Sequence, residues 1–242
     1  MHHTALITGA SKRLRKAIAC HLAAKGWNVI IHYHTSSDAA DQLVNKLKIR
    51  YPEQTFFSLQ ANLENENEVG QIISIIQEKA ERLDLLINNA SIFSPGYLSA
   101  TGTEDMNRTM QINLKAPFVL MRDFYNHFKQ GNIINIADTR ITANRSDYAA
   151  YTLSKKGLWD LTKMAALEFA PEVRVNAVAP GVTLPPENKN DDYLWTLAKK
   201  TPMQRPGGVQ PVLQSIDYIL ENSHLTGQLL FADGGENLGK NP

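Results

Sequence analysis

Seven short apolar or β-branched runs, each bounded by turn residues, recur at Ala5–Thr8, Val29–Tyr33, Thr55–Gln60, Leu85–Asn88, Ile133–Ala137, Val173–Val178 and Gln228–Phe231. Continuous runs of this length read as strands buried on both faces. Segments of helical periodicity separate them: Leu14–Lys25 gathers Leu14, Ala17, Ile18 and Leu22 on one side, and Val69–Leu83 gathers Ile72, Ile73, Ile76 and Ala80. Strands alternating with amphipathic helices imply right-handed βαβ units and a parallel sheet. The expected fold is a doubly wound, Rossmann-type α/β structure of about seven strands with helices on both faces. Its ligands should bind beyond the carboxyl ends of the strands.

The 242 residues, 43% of them hydrophobic, suffice for one large core, and no repeat, low-complexity tract or linker divides them. A single domain over residues 1–242 is expected. The least regular stretch, Thr183 to Arg205, reads as a loop insertion carrying a short helix around Tyr193-Leu194-Trp195, of the kind that covers a binding site. With 25 basic and 24 acidic residues the net charge is +1, so no global field gathers nucleic acid or anionic lipid. No apolar run approaches the roughly 18 residues that cross a bilayer. The single Cys20 excludes an internal disulfide, and Thr4 to Thr8 is strand-like with no secretory leader before it, so a cytoplasmic location is expected. No metal ligand set is expected, and any anion must be held by a local site.

Such a site is offered by Thr8-Gly9-Ala10-Ser11-Lys12-Arg13-Leu14-Arg15, where the first strand turns into the first helix. Backbone N–H groups and the helix dipole favour a phosphate there. Only Gly9 of the glycines usual in such turns is present, and a plain strand-to-helix turn accounts for the segment equally well. The second strand ends His32-Tyr33-His34-Thr35-Ser36, without the acid that would bond the ribose 2′-hydroxyl of NAD. His34, Thr35, Ser36 and Arg13 can instead donate to a 2′-phosphate, which favours NADP. The competing reading makes His34 to Ser36 a polar turn before the next helix. Asn62 and Leu63 follow the third strand, and Asn89 and Ala90 the fourth, where the adenosine half of a dinucleotide would lie, although Asn62 alone is also a routine turn residue.

Tyr151 and Lys155 stand four residues apart and project from one helix face. The spacing lets Lys155 lower the phenol pKa and hold a ribose; a tyrosine titrating near 10 is otherwise a poor acid/base at neutral pH. Together Thr8-Gly9, Asn88-Asn89-Ala90, Asn113, Tyr151/Lys155 and Pro180-Gly181 resemble the short-chain dehydrogenase/reductase superfamily over essentially the whole chain. The resemblance implies Tyr151 as general acid/base, Lys155 as its partner and ribose ligand, and Asn113 as support for a water-linked proton relay. It further implies an NADPH/NADP+ site formed by Gly9, Ser11, Arg13, Leu14, the His34–Ser36 and Asn62–Leu63 segments, Asn89, Ala90, Lys155, Pro180 and Gly181. Tetramers are common in that superfamily, so a homotetramer is expected.

Thirteen residues before the tyrosine, where the superfamily usually has serine, stands Asp138. An ionised carboxylate only accepts hydrogen bonds, so it is a poor holder of a ketone oxygen and suits a nitrogen-rich substrate that must be protonated. With Lys12-Arg13-Leu14, His32-Tyr33-His34 and Asn89-Ala90-Ser91-x-Phe93, this narrows the resemblance to pteridine and dihydromonapterin reductases. In those enzymes the substrate ring stacks on an aromatic side chain, here Phe93, and the serine, here Ser91, bonds substrate or cofactor. The substrate set implied for Ser91, Phe93, Asp138 and Tyr151 is a pterin or dihydropterin. Two departures stand out: Thr35 occupies a place where those reductases often have arginine, and Arg15 replaces the glycine that ends their Arg-Leu-Gly pattern. The bulk of Arg15 must turn outward or engage phosphate. The rival readings are a carbonyl reductase of the same superfamily, such as a 3-oxoacyl-carrier-protein reductase, and a non-catalytic NADP-binding regulatory protein.

Overall fold

The computed structural model describes residues 2–10, 13–185 and 189–239, and the side chains of Arg13 and Asp191 are outside that description. In chain order the elements are β1 (Thr4–Ile7), α1 (Arg13–Ala24), β2 (Asn28–Tyr33), α2 (Ser37–Arg50), β3 (Phe56–Gln60), α3 (Glu66–Lys79) and β4 (Leu85–Asn88). Then follow α4 (Thr103–Met110), a π turn (Gln111–Lys115), α5 (Ala116–Phe128), β5 (Gly131–Ile136), a 3-10 turn (Thr139–Thr142) and α6 (Ala149–Phe169). The chain continues through β6 (Val173–Pro180), α7 (Asp191–Ala198), α8 (Gln210–Glu221), β7 (Leu229–Ala232) and a last 3-10 turn (Glu236–Leu238).

All seven strands are parallel, in the order β3-β2-β1-β4-β5-β6-β7. The alternation of side chains along each strand divides the core in two. Ala5, Ile7, Val29 and Ile31 pack under α1, α2 and α8, while Leu6 and Ile30 pack under α3, α5 and α6. Each fully buried Ile, Leu or Phe contributes about 1.5–3 kcal/mol, so apolar strands covered on both faces hold the sheet. The strand order reverses between β1 and β4. In open α/β sheets ligands bind in the crevice expected at such a reversal, beyond the carboxyl ends of the strands, and the sequence motifs converge on it.

Boundary shifts have local causes. β1 stops at Ile7 because the Thr8 hydroxyl accepts the N–H groups of Asn89 and Ala90, each at 2.9 Å, tying β1 to the end of β4. The third helix begins three residues before the periodic apolar face, because Asn65 caps it by accepting from Asn67 and Glu68. The irregular stretch from Thr183 does carry a helix, α7, capped by Asn190; Pro186, Glu187 and Asn188 lie outside the described residues. Among the described residues no helix is long and apolar enough to cross a membrane.

Candidate functional site

The turn after β1 is organised by His32, a motif residue to which the sequence alone assigns no role. His32 is 1% exposed; its Nδ1 accepts the Gly9 N–H at 3.0 Å and its Nε2 contacts the Ala61 carbonyl at 3.1 Å. These partners place the proton on Nε2 and require a neutral ring. The His32 carbonyl also accepts the Ala10 N–H at 2.8 Å, so β2 fixes the turn through backbone and side chain together. Gly9 sits at φ +66°, and a Cβ there would lie 2.8 Å from Arg15 Nη1 and 3.3 Å from the Ala90 Cβ, so only glycine fits.

Burial pulls the His32 pKa from its ordinary 6.5 down to about 4. Below pH 6.5 the unfolded chain binds a proton that the native imidazole refuses until about pH 4. Native stability at this group is therefore whole above pH 6.5 and is lost as pH falls toward 4, by about 3 kcal/mol at most. Thermal melts of wild type and His32→Gln across pH 4–7 are expected to show a shallower acid loss in the variant. Parallel curves would contradict the role given to this ring.

His34 and Thr35 are exposed beyond β2, and Ser36 is the N-cap residue of α2 without a side-chain cap bond. Ser11 lies outside the described residues, as does the Arg13 side chain. Leu14 packs against the core. The Asn62 side chain accepts the Glu64 N–H at 3.0 Å, so it shapes its own turn, and Leu63 is buried. Asn89 is buried against Thr8, and Ala90 borders Gly9. Pro180 ends β6; Gly181 is required by packing, since a Cβ there would lie 2.5 Å from the Asp233 Cα.

At the other end of the crevice the Tyr151 hydroxyl donates to Asp138 Oδ2 at 2.6 Å. The second carboxylate oxygen of Asp138 caps the 3-10 turn by accepting the Arg140 N–H at 2.8 Å. Lys155, 2% exposed, donates to the Ile136 carbonyl at 2.7 Å, and burial lowers its pKa to about 8, partly offset by Asp138. The expected acidification of the phenol by Lys155 is not what the structure shows. Burial first and Asp138 second push the Tyr151 pKa well above 10, while the opposing cation is Arg140. Lys155 Nζ lies 5.8 Å from the Tyr151 ring and is turned to the backbone. In this state Tyr151 is a firmly protonated donor held against a carboxylate.

Asn113 lies in the π turn, 1% exposed. Its Oδ1 accepts the Ile92 N–H at 3.0 Å, and its Nδ2 donates to the Ile92 carbonyl and the Ser154 hydroxyl. The side chain thus anchors the loop that presents Phe93. A π turn inside a helix commonly marks a functional position.

Phe93 is 53% exposed, with one face stacked on Tyr148 at 4.2 Å and its edge against Tyr151 at 4.6 Å. The Arg140 guanidinium flanks both stacked rings, at 4.6 Å from Tyr148 and 5.8 Å from Phe93. Asp147 holds it at 3.2 Å and also binds Arg145, which together keep the Asp147 pKa down at about 2. The Ser91 hydroxyl donates to the Ile92 carbonyl at 3.4 Å. Tyr148 and Arg140 were missed because their place depends on the left-handed Tyr148 backbone, φ +54°, and on a 3-10 turn. Neither feature has a periodic sequence signal.

The short chain dehydrogenase family model matches residues 3–193. A 3-oxoacyl-[acyl-carrier-protein] reductase of Synechocystis sp. is 34% identical, over 96% of this chain and 95% of its own. Among solved structures, FolM alternative dihydrofolate reductase 1 from Brucella canis, complexed with NADP, superposes with a TM-score of 0.93 at 31% identity, covering 99% of this chain and 96% of that one. A blue fluorescent protein from a metagenomic library, in complex with NADPH, gives 0.88 at 27% identity over 96% and 97%.

Proposed function

Because the chain belongs to the short-chain dehydrogenase family, we propose that it is an NADPH-dependent pteridine reductase acting on a pterin or dihydropterin such as dihydrobiopterin, dihydromonapterin or dihydrofolate. The observation that carries the reading is the 2.6 Å hydrogen bond between Tyr151 and Asp138, a carboxylate where a ketone reductase would present a hydroxyl. The likeness to the Brucella FolM reductase supports it.

The donor set fits a nicotinamide dinucleotide. The turn from β1 into α1 lies at the carboxyl end of β1, where a helix N-terminus favours a phosphate, and Lys155 stands at the catalytic end. When bound, the cofactor supplies a hydride. The roles proposed for this chain's own residues follow from their positions. Lys155 and the strand-end residues Asn89 and Ala90 orient the cofactor, and His34 to Ser36 with Arg13 receive its 2′-phosphate. Phe93, backed by Tyr148, offers its open face to a planar heteroaromatic ring. Tyr151 gives its proton to the ring nitrogen adjacent to the carbon that gains the hydride, and Asp138 accepts from Tyr151 before the step and relays a replacement proton after it.

Steady-state NADPH oxidation with the three dihydropterins named above tests the reading. Turnover with at least one is expected, and turnover with none contradicts it. NADPH should bind more tightly than NADH, since β2 ends without an acid; equal affinities by calorimetry would overturn that preference. The sequence relatives favour a second reading, 3-oxoacyl-carrier-protein reductase, against which Asp138 stands. For assembly we propose a homotetramer joined through the exposed Phe118 of α5 and Met164 and Leu167 of α6; light scattering at the mass of one chain would exclude it.

A further inference from the structure

We propose that Arg15 is the pyrophosphate ligand of the bound dinucleotide, a side-chain cation standing where this kind of turn ordinarily leaves space with a glycine. Three observations converge on it. The first concerns the backbone of the turn. The N–H groups of Gly9 and Ala10 are both spent inside the protein, on His32 Nδ1 at 3.0 Å and on the His32 carbonyl at 2.8 Å. Neither of these two N–H groups is therefore available to an anion, which leaves more of a pyrophosphate's charge to side chains at the start of α1.

The second observation is where the guanidinium lies. Arg15 folds back over the turn, with Nη1 donating to the Gly9 carbonyl at 3.3 Å and within 2.8 Å of the position a Gly9 Cβ would take. The Gly9 over which it lies is bonded through its N–H to His32 of β2, so the guanidinium stands at the turn between β1 and α1, where the pyrophosphate joining the two halves of a dinucleotide is expected.

The third is the composition of the first turn of α1, which contains Arg15 and Lys16 and no acidic residue. The positive end of the helix dipole and these two cations favour an anion. An arginine fork suits a pyrophosphate through paired charge-assisted hydrogen bonds.

The test is calorimetric titration of wild type, Arg15→Gln and Arg15→Lys with NADPH and with NADH, beside thermal melts of the unliganded proteins. Arg15→Gln should raise both dissociation constants by about 10- to 100-fold, leaving the ratio between the two cofactors unchanged, because both carry the pyrophosphate. Arg15→Lys should recover part of the loss. The unliganded melting temperature of Arg15→Gln should stay close to that of wild type, since the bond from Arg15 to the Gly9 carbonyl is long, at 3.3 Å. Affinity that is unchanged or tighter in Arg15→Gln would overturn the proposal by making Arg15 inert or an obstruction. A loss confined to NADPH would reassign Arg15 to the 2′-phosphate, and a drop in the unliganded melting temperature would make it a structural clamp; either result overturns the proposal.

Discussion

Tyr151→Phe is expected to lower turnover by a factor on the order of 10²–10⁴, the range for removing a general acid/base, with NADPH affinity unchanged. The phenol is 6% exposed and its hydroxyl donates to Asp138 at 2.6 Å. Burial and the neighbouring carboxylate hold it protonated, so the proton is present at neutral pH, although the same surroundings make the phenol a weaker acid than a tyrosine in water. Phenylalanine keeps the ring and its edge contact with Phe93 and removes only the donor. The structural cost is one hydrogen bond to a carboxylate that retains its bond from the Arg140 N–H, about 1–3 kcal/mol. Rates and melting temperatures of the two proteins, measured in parallel, check this. Near wild-type turnover in the variant would remove Tyr151 from the mechanism.

Asp138→Ser should cost pterin turnover by a similar factor, on the order of 10²–10⁴. Serine is also a good cap for the 3-10 turn, so the local fold should persist. Its hydroxyl cannot take up and return a proton at neutral pH as a carboxylate can, and the relay behind Tyr151 is broken. The cofactor affinity should stay unchanged because the residue sits at the substrate end. Retained dihydropterin turnover in Asp138→Ser would show that the carboxylate does not set the chemistry.

The strand and helix pattern was legible because apolar runs and helical stripes are local: Val29–Tyr33 and Leu85–Asn88 could be read almost to the residue. The pair Tyr151 and Asp138 was legible through the superfamily resemblance, as the offset of thirteen residues between them, and the structure brings the two side chains to 2.6 Å. The function of His32 was hidden, because one polar residue inside an apolar run gives no sign that it will bridge Gly9 and Ala61. Lys155 was misjudged for a different reason. Sequence fixes its helical offset from Tyr151, but whether the ammonium faces the phenol or the Ile136 carbonyl depends on tertiary packing. The cluster of Phe93, Tyr148 and Arg140 joins two loops across the crevice, a long-range contact with no local signature.

The central claim, a reductase for pterins, is tested most directly by competing a dihydropterin against an acetoacetyl thioester for NADPH oxidation by the wild-type protein. The expected result is a kcat/KM for the dihydropterin that exceeds that for the thioester by at least about tenfold, a difference of about 1.4 kcal/mol in transition-state stabilisation. Brisk reduction of the thioester with no oxidation of NADPH by any dihydropterin would contradict it.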